Sequence, residues 1–110
     1  MYKVTITHTR IDISTPFFWE TDLANHEEIH NIVTEIWNGA AQLIPADPLE
    51  RNYSSDGLVS TRIQIFESMD AYYDCKKIIN THSKLLGYWK FRNDYNYENN
   101  IFRNIIEESM

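Results

Sequence analysis

From its second residue the chain alternates, with Tyr2, Val4, Ile6 and His8 on one side of a pleated backbone and Lys3, Thr5, Thr7 and Thr9 on the other. The β-branched residues predict a first strand running to about Ile13, with one apolar and one hydroxyl-bearing face. Between Ser14 and Asp22, Pro16 interrupts pairing, and Phe17, Phe18 and Trp19 form an apolar cluster too large to leave in water. Two roles are open to it: capping one end of the core, or lining a pocket mouth or partner surface. Asp22 or Asn25 can cap a helix whose buried stripe is Ile29, Ile32, Val33, Ile36 and Trp37, with Gly39 as its stop. Pro45 and Pro48 then mark a loop.

From Asp56 to Thr81 the pattern reads as a turn, a strand and a helix in succession. Ser54-Ser55-Asp56-Gly57 is a turn signal, because Gly takes the positive φ of a tight reversal, so about Leu49 to Tyr53 should be an antiparallel partner strand. Val59, Thr61, Ile63 and Ile65 fall on one side of the next strand, and Leu58, Ser60, Arg62, Gln64 and Phe66 on the other. Ser68 suits a helix N-cap, Asp70 its positive first turn, and Lys76 and Lys77 its negative end. Ala71, Tyr72, Cys75, Ile78 and Ile79 form the buried stripe. Thr81 can cap a further turn or two carrying Leu85, Leu86 and Trp89, with Gly87 as a weak point. The tail has two readings: a strand from Ile101 to Glu107 after a polar turn at Asn96 to Asn100, or a terminal helix using Ile101, Ile105 and Ile106.

Strand, helix, strand, strand, helix, strand is the order of a single α+β domain over residues 1–110, a ferredoxin-like antiparallel sheet with its helices on one face. The helix stripes are expected to cover Val59, Thr61, Ile63 and Ile65 together with the apolar side of the first strand. The opposite face would present Thr5, Thr7, Thr9, Ser60, Arg62 and Gln64. Such a face can stay wet, or a second copy can pack on it and enclose a polar cavity.

Composition narrows the classes. The chain has 43% apolar and 14% aromatic residues with three Gly and three Pro, so it is a folded globule. A net charge of -6 repels a phosphate backbone, and the cations are scattered among acids, so no nucleic-acid partner is expected. Cys75 is the single cysteine and sits in a helix stripe, which excludes an internal disulfide and favours a core role. No apolar run approaches the ~20 residues of a membrane span, and the start shows no cleavable signal pattern. A cytoplasmic protein with no membrane partner is the expectation. No phosphate-loop, dinucleotide-loop or nucleophile-elbow motif is present.

The hairpin ending in Ile63-Gln64-Ile65-Phe66-Glu67-Ser68, the helix opening Met69-Asp70-Ala71-Tyr72 and the order of elements resemble the dimeric α+β barrel superfamily. That group includes antibiotic-biosynthesis-type monooxygenases, stress-responsive barrel proteins and small polyketide cyclases, and the resemblance covers roughly Tyr2 to Trp89. It implies a homodimer. Cyclases of this type place a base histidine just after the second helix, where this chain has His82 at an offset of about one position, and some use a polar residue on the first strand, here Thr7 or His8. Haem-degrading members carry a Trp near the end of the third strand, where Phe66 stands, and an Asn on the first strand that is missing here. The resemblance therefore implies no haem and no other cofactor.

His26-Glu27-Glu28-Ile29-His30 matches the H-E-x-x-H pattern, in which two imidazoles one turn apart hold zinc and a Glu acts as base. Val33 and Ile36 occupy the positions where a further ligand motif would continue, and Glu28 is charged where such helices are apolar, so a solvated helix start is the better reading and no metal is expected. Two functions remain. One is a homodimeric barrel binding a small, partly apolar ligand, as a cofactor-independent monooxygenase or cyclase would, with Thr7, Arg62, Gln64 and Phe66 as ligand-binding residues and His82 with Tyr72 or Tyr73 as acid-base groups. The other is a non-catalytic assembly protein of the same fold.

Overall fold

The computed structural model describes residues 1–21, 26–39 and 52–110, the side chains of 26, 27, 30, 34 and 37–39 excepted. Its elements are β1 (Tyr2–Thr9), a short 3-10 turn (Phe18–Glu20), α1 (His26–Gly39), β2 (Asn52–Tyr53), β3 (Val59–Phe66), α2 (Met69–Thr81), α3 (Ser83–Glu98) and β4 (Phe102–Ser109). The strands form one sheet in the order β2-β3-β1-β4, every pair antiparallel. This is the ferredoxin-like arrangement with a third helix added before the last strand.

Local chemistry sets several boundaries as the sequence indicates. Ser68 accepts the Ala71 N–H at 3.1 Å and starts α2. Gly57 takes φ +74° in the turn between β2 and β3, a left-handed conformation that favours glycine. β1 ends at Thr9 rather than Ile13, because the Asp12 carboxylate accepts from the Ser14 N–H and hydroxyl and folds the chain into a local turn. Of the expected partner strand only Asn52 and Tyr53 lie among the described residues. The proposed caps Asp22 and Asn25, the loop prolines Pro45 and Pro48, and the Trp37 side chain lie outside the described residues.

One element differs from expectation. α3 runs for 16 residues straight through Gly87, because its aromatic side chains dock on the chain beyond β1: Phe18 packs against Tyr88, Phe91 and Tyr95, and the Tyr95 hydroxyl donates to the Pro16 carbonyl at 2.6 Å. Thr81 is not its cap; the His82 Nδ1 accepts the Lys84 N–H at 3.2 Å. The tail is a strand, bonded to β1 along its whole length after a turn in which Asn100 takes φ 56°.

The core lies between the sheet and the helices. Tyr2, Val4 and Ile6 from β1, Phe66 from β3, Val33 from α1, Tyr72, Cys75 and Ile79 from α2 and Leu85 from α3 are buried together. Ile78 and Leu86, placed in helix stripes by their spacing, instead face outward at 52% exposure each.

The sheet faces are the main correction. β1 pairs with β3 as Tyr2 with Phe66, Val4 with Gln64, Ile6 with Arg62 and His8 with Ser60. Directly opposed residues in an antiparallel pair point the same way, so Ser60, Arg62, Gln64 and Phe66 belong to the helix-covered side and not to the open one. The open face carries Lys3, Thr5, Thr7 and Thr9 beside Val59, Thr61, Ile63 and Ile65 and, on β4, Phe102, Asn104, Ile106 and Glu108. It is an apolar and threonine-rich surface with charge only at the Lys3–Glu108 end.

Candidate functional site

The helix-covered side of the sheet changes character along β1. At the Tyr2 end Tyr2, Val4 and Phe66 pack against Tyr72; toward Thr9 the opposed pairs become Ile6 with Arg62 and His8 with Ser60, while His8 faces Arg103 on β4. His8, Ser60 and Gln64 are 3%, 1% and 4% exposed, and Arg62 is half-buried. Polar groups in a packed layer cost free energy unless something bonds them, and the Ser60 hydroxyl has no hydrogen-bond partner among the described residues.

An aromatic wall closes this end. Phe17 and Trp19 stack at 4.6 Å, the His8 ring meets Trp19 edge-on at 4.9 Å, and Trp19 Nε1 donates to the Tyr53 hydroxyl. Arg10 holds the wall in place: its guanidinium lies 4.2 Å over the Phe17 ring, donates to the Gly57 and Thr15 carbonyls and reaches Glu20 at 3.3 Å. Glu20 also accepts the Phe17 N–H. Phe17 and Phe18 are fully buried, so the cluster caps the core, and only Trp19 is left half-open beside His8.

Arg62, Gln64 and Phe66 therefore share the helix-covered side, and Tyr72 packs there with its ring 5.1 Å from Phe66. Thr7 does not join them, being on the open face. Burial pushes the Tyr72 phenol up to about 12, with Glu107 acting in the same direction and Arg103 and Arg62 against it. His82 lies between α2 and α3 and its Nδ1 is spent on the α3 cap, a sufficient structural role. Sequence reading passed over Arg103 because an isolated arginine in an Asn-rich tail carries no signal; its place beside His8 follows from strand pairing alone.

A second cluster joins α2 to the edge strand. The Tyr2 hydroxyl donates to Glu107 Oε1 at 3.0 Å and the Tyr73 hydroxyl donates to the same oxygen. Burial and then this bond raise the Tyr2 pKa; for Tyr73 the bond to Glu107 is the leading cause of the rise. Because these phenols titrate higher folded than unfolded, their contribution is complete below the ordinary value near 10 and is lost as pH rises through the folded values. Stability by urea titration is expected to fall between about pH 10 and 12, and less steeply in Glu107→Gln; equal slopes in the two proteins would rule out the linkage.

The H-E-x-x-H residues open α1, but the side chains of His26, Glu27 and His30 lie outside the described ones. No group of His, Cys, Asp or Glu among the described residues is arranged to hold a metal. Cys75 is buried, its thiol directed at the Ile36 carbonyl and pushed up to about 12 by burial, so it is no nucleophile. No helix among the described residues is long and apolar enough to cross a membrane. No known family, curated protein or solved structure matches this chain.

Proposed function

We propose that this protein is a small homodimeric α+β protein that binds a small, partly apolar molecule between its sheet and its helices. The observation that carries this reading is the polar row His8, Ser60, Arg62 and Gln64 on the two central strands, beneath helices, where packing alone favours aliphatic side chains. The neighbouring Val4, Ile6 and Tyr72 supply the apolar contacts. A cyclase-like or monooxygenase-like reaction would draw on groups bordering that row, His8 and Tyr72, in preference to His82, which is committed to capping.

Self-association belongs to the open sheet face. Three eight-residue strands make a face of roughly 26 by 14 Å. Its centre is Thr5, Thr7, Thr61, Ile63 and Ile106, with the charged pair confined to one end, and depletion of charge at the centre is the compositional mark of an interface. Since that face is apolar, a second copy would pack on it dryly, and the ligand would lie in each subunit rather than between them.

Amide NMR of the intact protein with a panel of phenols, aromatic acids and neutral aromatics tests the binding reading. Shifts are expected at His8, Ser60, Arg62 and Gln64, and Gln64→Leu is expected to weaken the best binder by about tenfold. Shifts confined to the open face, or none, would leave the assembly protein as the function.

A further inference from the structure

We infer that two copies of this chain also join edge to edge, β4 pairing antiparallel with the β4 of a second copy so that Arg103 of each faces the partner's Glu107. This contact goes beyond the open-face dimer and uses a different part of the sheet. β4 is the outermost strand of the described sheet, runs for eight residues and pairs with β1 from Phe102 to Ser109 without a bulge. It has neither proline nor lysine, whereas the opposite edge, β2, is two residues long among the described ones. A long, straight edge offers a row of unpaired backbone groups to another strand unless something blunts it. Every residue of β4 except Ile105 is exposed, Arg103 and Glu107 included, although both lie on the side that helices cover elsewhere. The helix layer therefore stops short of this strand and leaves room beside it.

The Met110 N–H donates to the Met1 carbonyl at 2.8 Å, which makes that opposed pair a bonded one. Bonded and non-bonded pairs alternate, so Phe102, Asn104, Ile106 and Glu108 turn their backbone groups to β1, while Arg103, Ile105, Glu107 and Ser109 turn theirs outward.

Side chains then choose the register. A twofold axis normal to the sheet keeps each face on its own side, so residues opposed across it must share parity. Centring on Ile105 sets that residue against its own copy and sets Arg103 against the partner's Glu107 at both ends. Centring on Asn104 or Ile106 would instead set Arg103 against the partner's Ile105 or the partner's Ser109. Opposed bonded residues lie about 5.5 Å apart at Cα, within reach of an arginine–carboxylate bond. Arg103 makes no hydrogen bond or ion pair among the described residues. Glu107 accepts from Tyr2 and Tyr73 through Oε1 alone, and its Oε2 has no partner among the described residues. Two ion pairs flanking about six backbone hydrogen bonds make a contact narrower than the open face. It is expected to join open-face dimers at higher concentration rather than to form first.

Amide hydrogen exchange on the intact protein over a range of concentrations, with sedimentation alongside, tests this. Exchange at the Arg103, Ile105 and Glu107 amides is expected to slow by at least about tenfold as concentration rises, in step with association. Arg103→Glu and Glu107→Arg should each weaken that association at least about tenfold. An equal mixture of the two variants should recover it, because every cross-strand pair is then again of opposite charge. Ile63→Glu, which strikes the open face and is not on β4, should keep the concentration dependence at those amides. Should Glu107→Arg lose its fold by circular dichroism, because Tyr2 and Tyr73 lose their acceptor, Arg103→Glu and the wild-type amide rates decide alone. Amides that exchange fast at every concentration would overturn the pairing and leave the edge to a strand of another protein. Protection independent of concentration would overturn it as well, since the chain would then be covering its own edge. A folded mixture that associates no better than either variant would overturn the register. Loss of the protection in Ile63→Glu would overturn the edge as a contact in its own right.

Discussion

Alanine at Phe17 is expected to lower the unfolding free energy by about 3–5 kcal/mol, the usual range for deleting a buried aromatic ring. The residue lies in a connection rather than in a helix or strand, yet it is fully buried, stacks on Trp19 and carries the Arg10 guanidinium on its face. Its removal opens a void and takes from Arg10 one of the contacts that offset its burial. Since whole domains of this size are stable by only about 5–15 kcal/mol, the change should be visible as a large shift of the urea midpoint. Ile11→Ala, at a position 70% exposed, is the matched control and should move stability by no more than about 0.5 kcal/mol. A Phe17→Ala cost near that of the control would mean that the aromatic cluster does not close the core. The same substitution should loosen the His8–Trp19 contact and with it one border of the proposed binding layer.

The second large effect concerns assembly. Glutamate at both Ile63 and Ile106 is expected to turn a dimer into a monomer, raising the dissociation constant by at least about 100-fold, because charge would be buried at the middle of the proposed interface. Both residues are about half open in the single chain, at 44% and 46% exposure, so their replacement leaves the core alone. Ile63→Thr with Ile106→Thr keeps β-branching and serves to separate loss of strand preference from loss of the interface. Sedimentation over a range of concentrations reads the outcome, with circular dichroism to check the fold. A wild-type protein that stays monomeric at high concentration would remove the homodimer, though not the binding layer, which lies within one subunit.

These two experiments address opposite faces of one sheet, and the assignment of residues to those faces is where sequence and structure part. The elements were legible because each has a local cause: alternation in β1, Gly57 in the turn, Ser68 capping α2, and the Ile29, Ile32, Val33 and Ile36 stripe on α1. His8 and Cys75 were legible as core residues for the same reason, since each shares a periodic face with its apolar neighbours. The orientation of β3 was not legible. Both of its sides carry large apolar residues, Phe66 on one and Ile63 and Ile65 on the other, so its own pattern holds no decisive contrast.

What decided that orientation is a contact between distant parts of the chain. Phe66 packs under Tyr72 beside Tyr2, and because side chains alternate strictly, anchoring that one residue sends Gln64, Arg62 and Ser60 beneath the helices as well. The same pairing logic brings Arg103 from the far end of the chain alongside His8. The linear order of amino acids thus determined which segments would be strands and helices, since those preferences are summed over near neighbours. Only the folded sheet determined which polar groups share a layer, because parity across strands is set by side chains some 60 residues apart, as between Tyr2 and Phe66, and no local pattern records it.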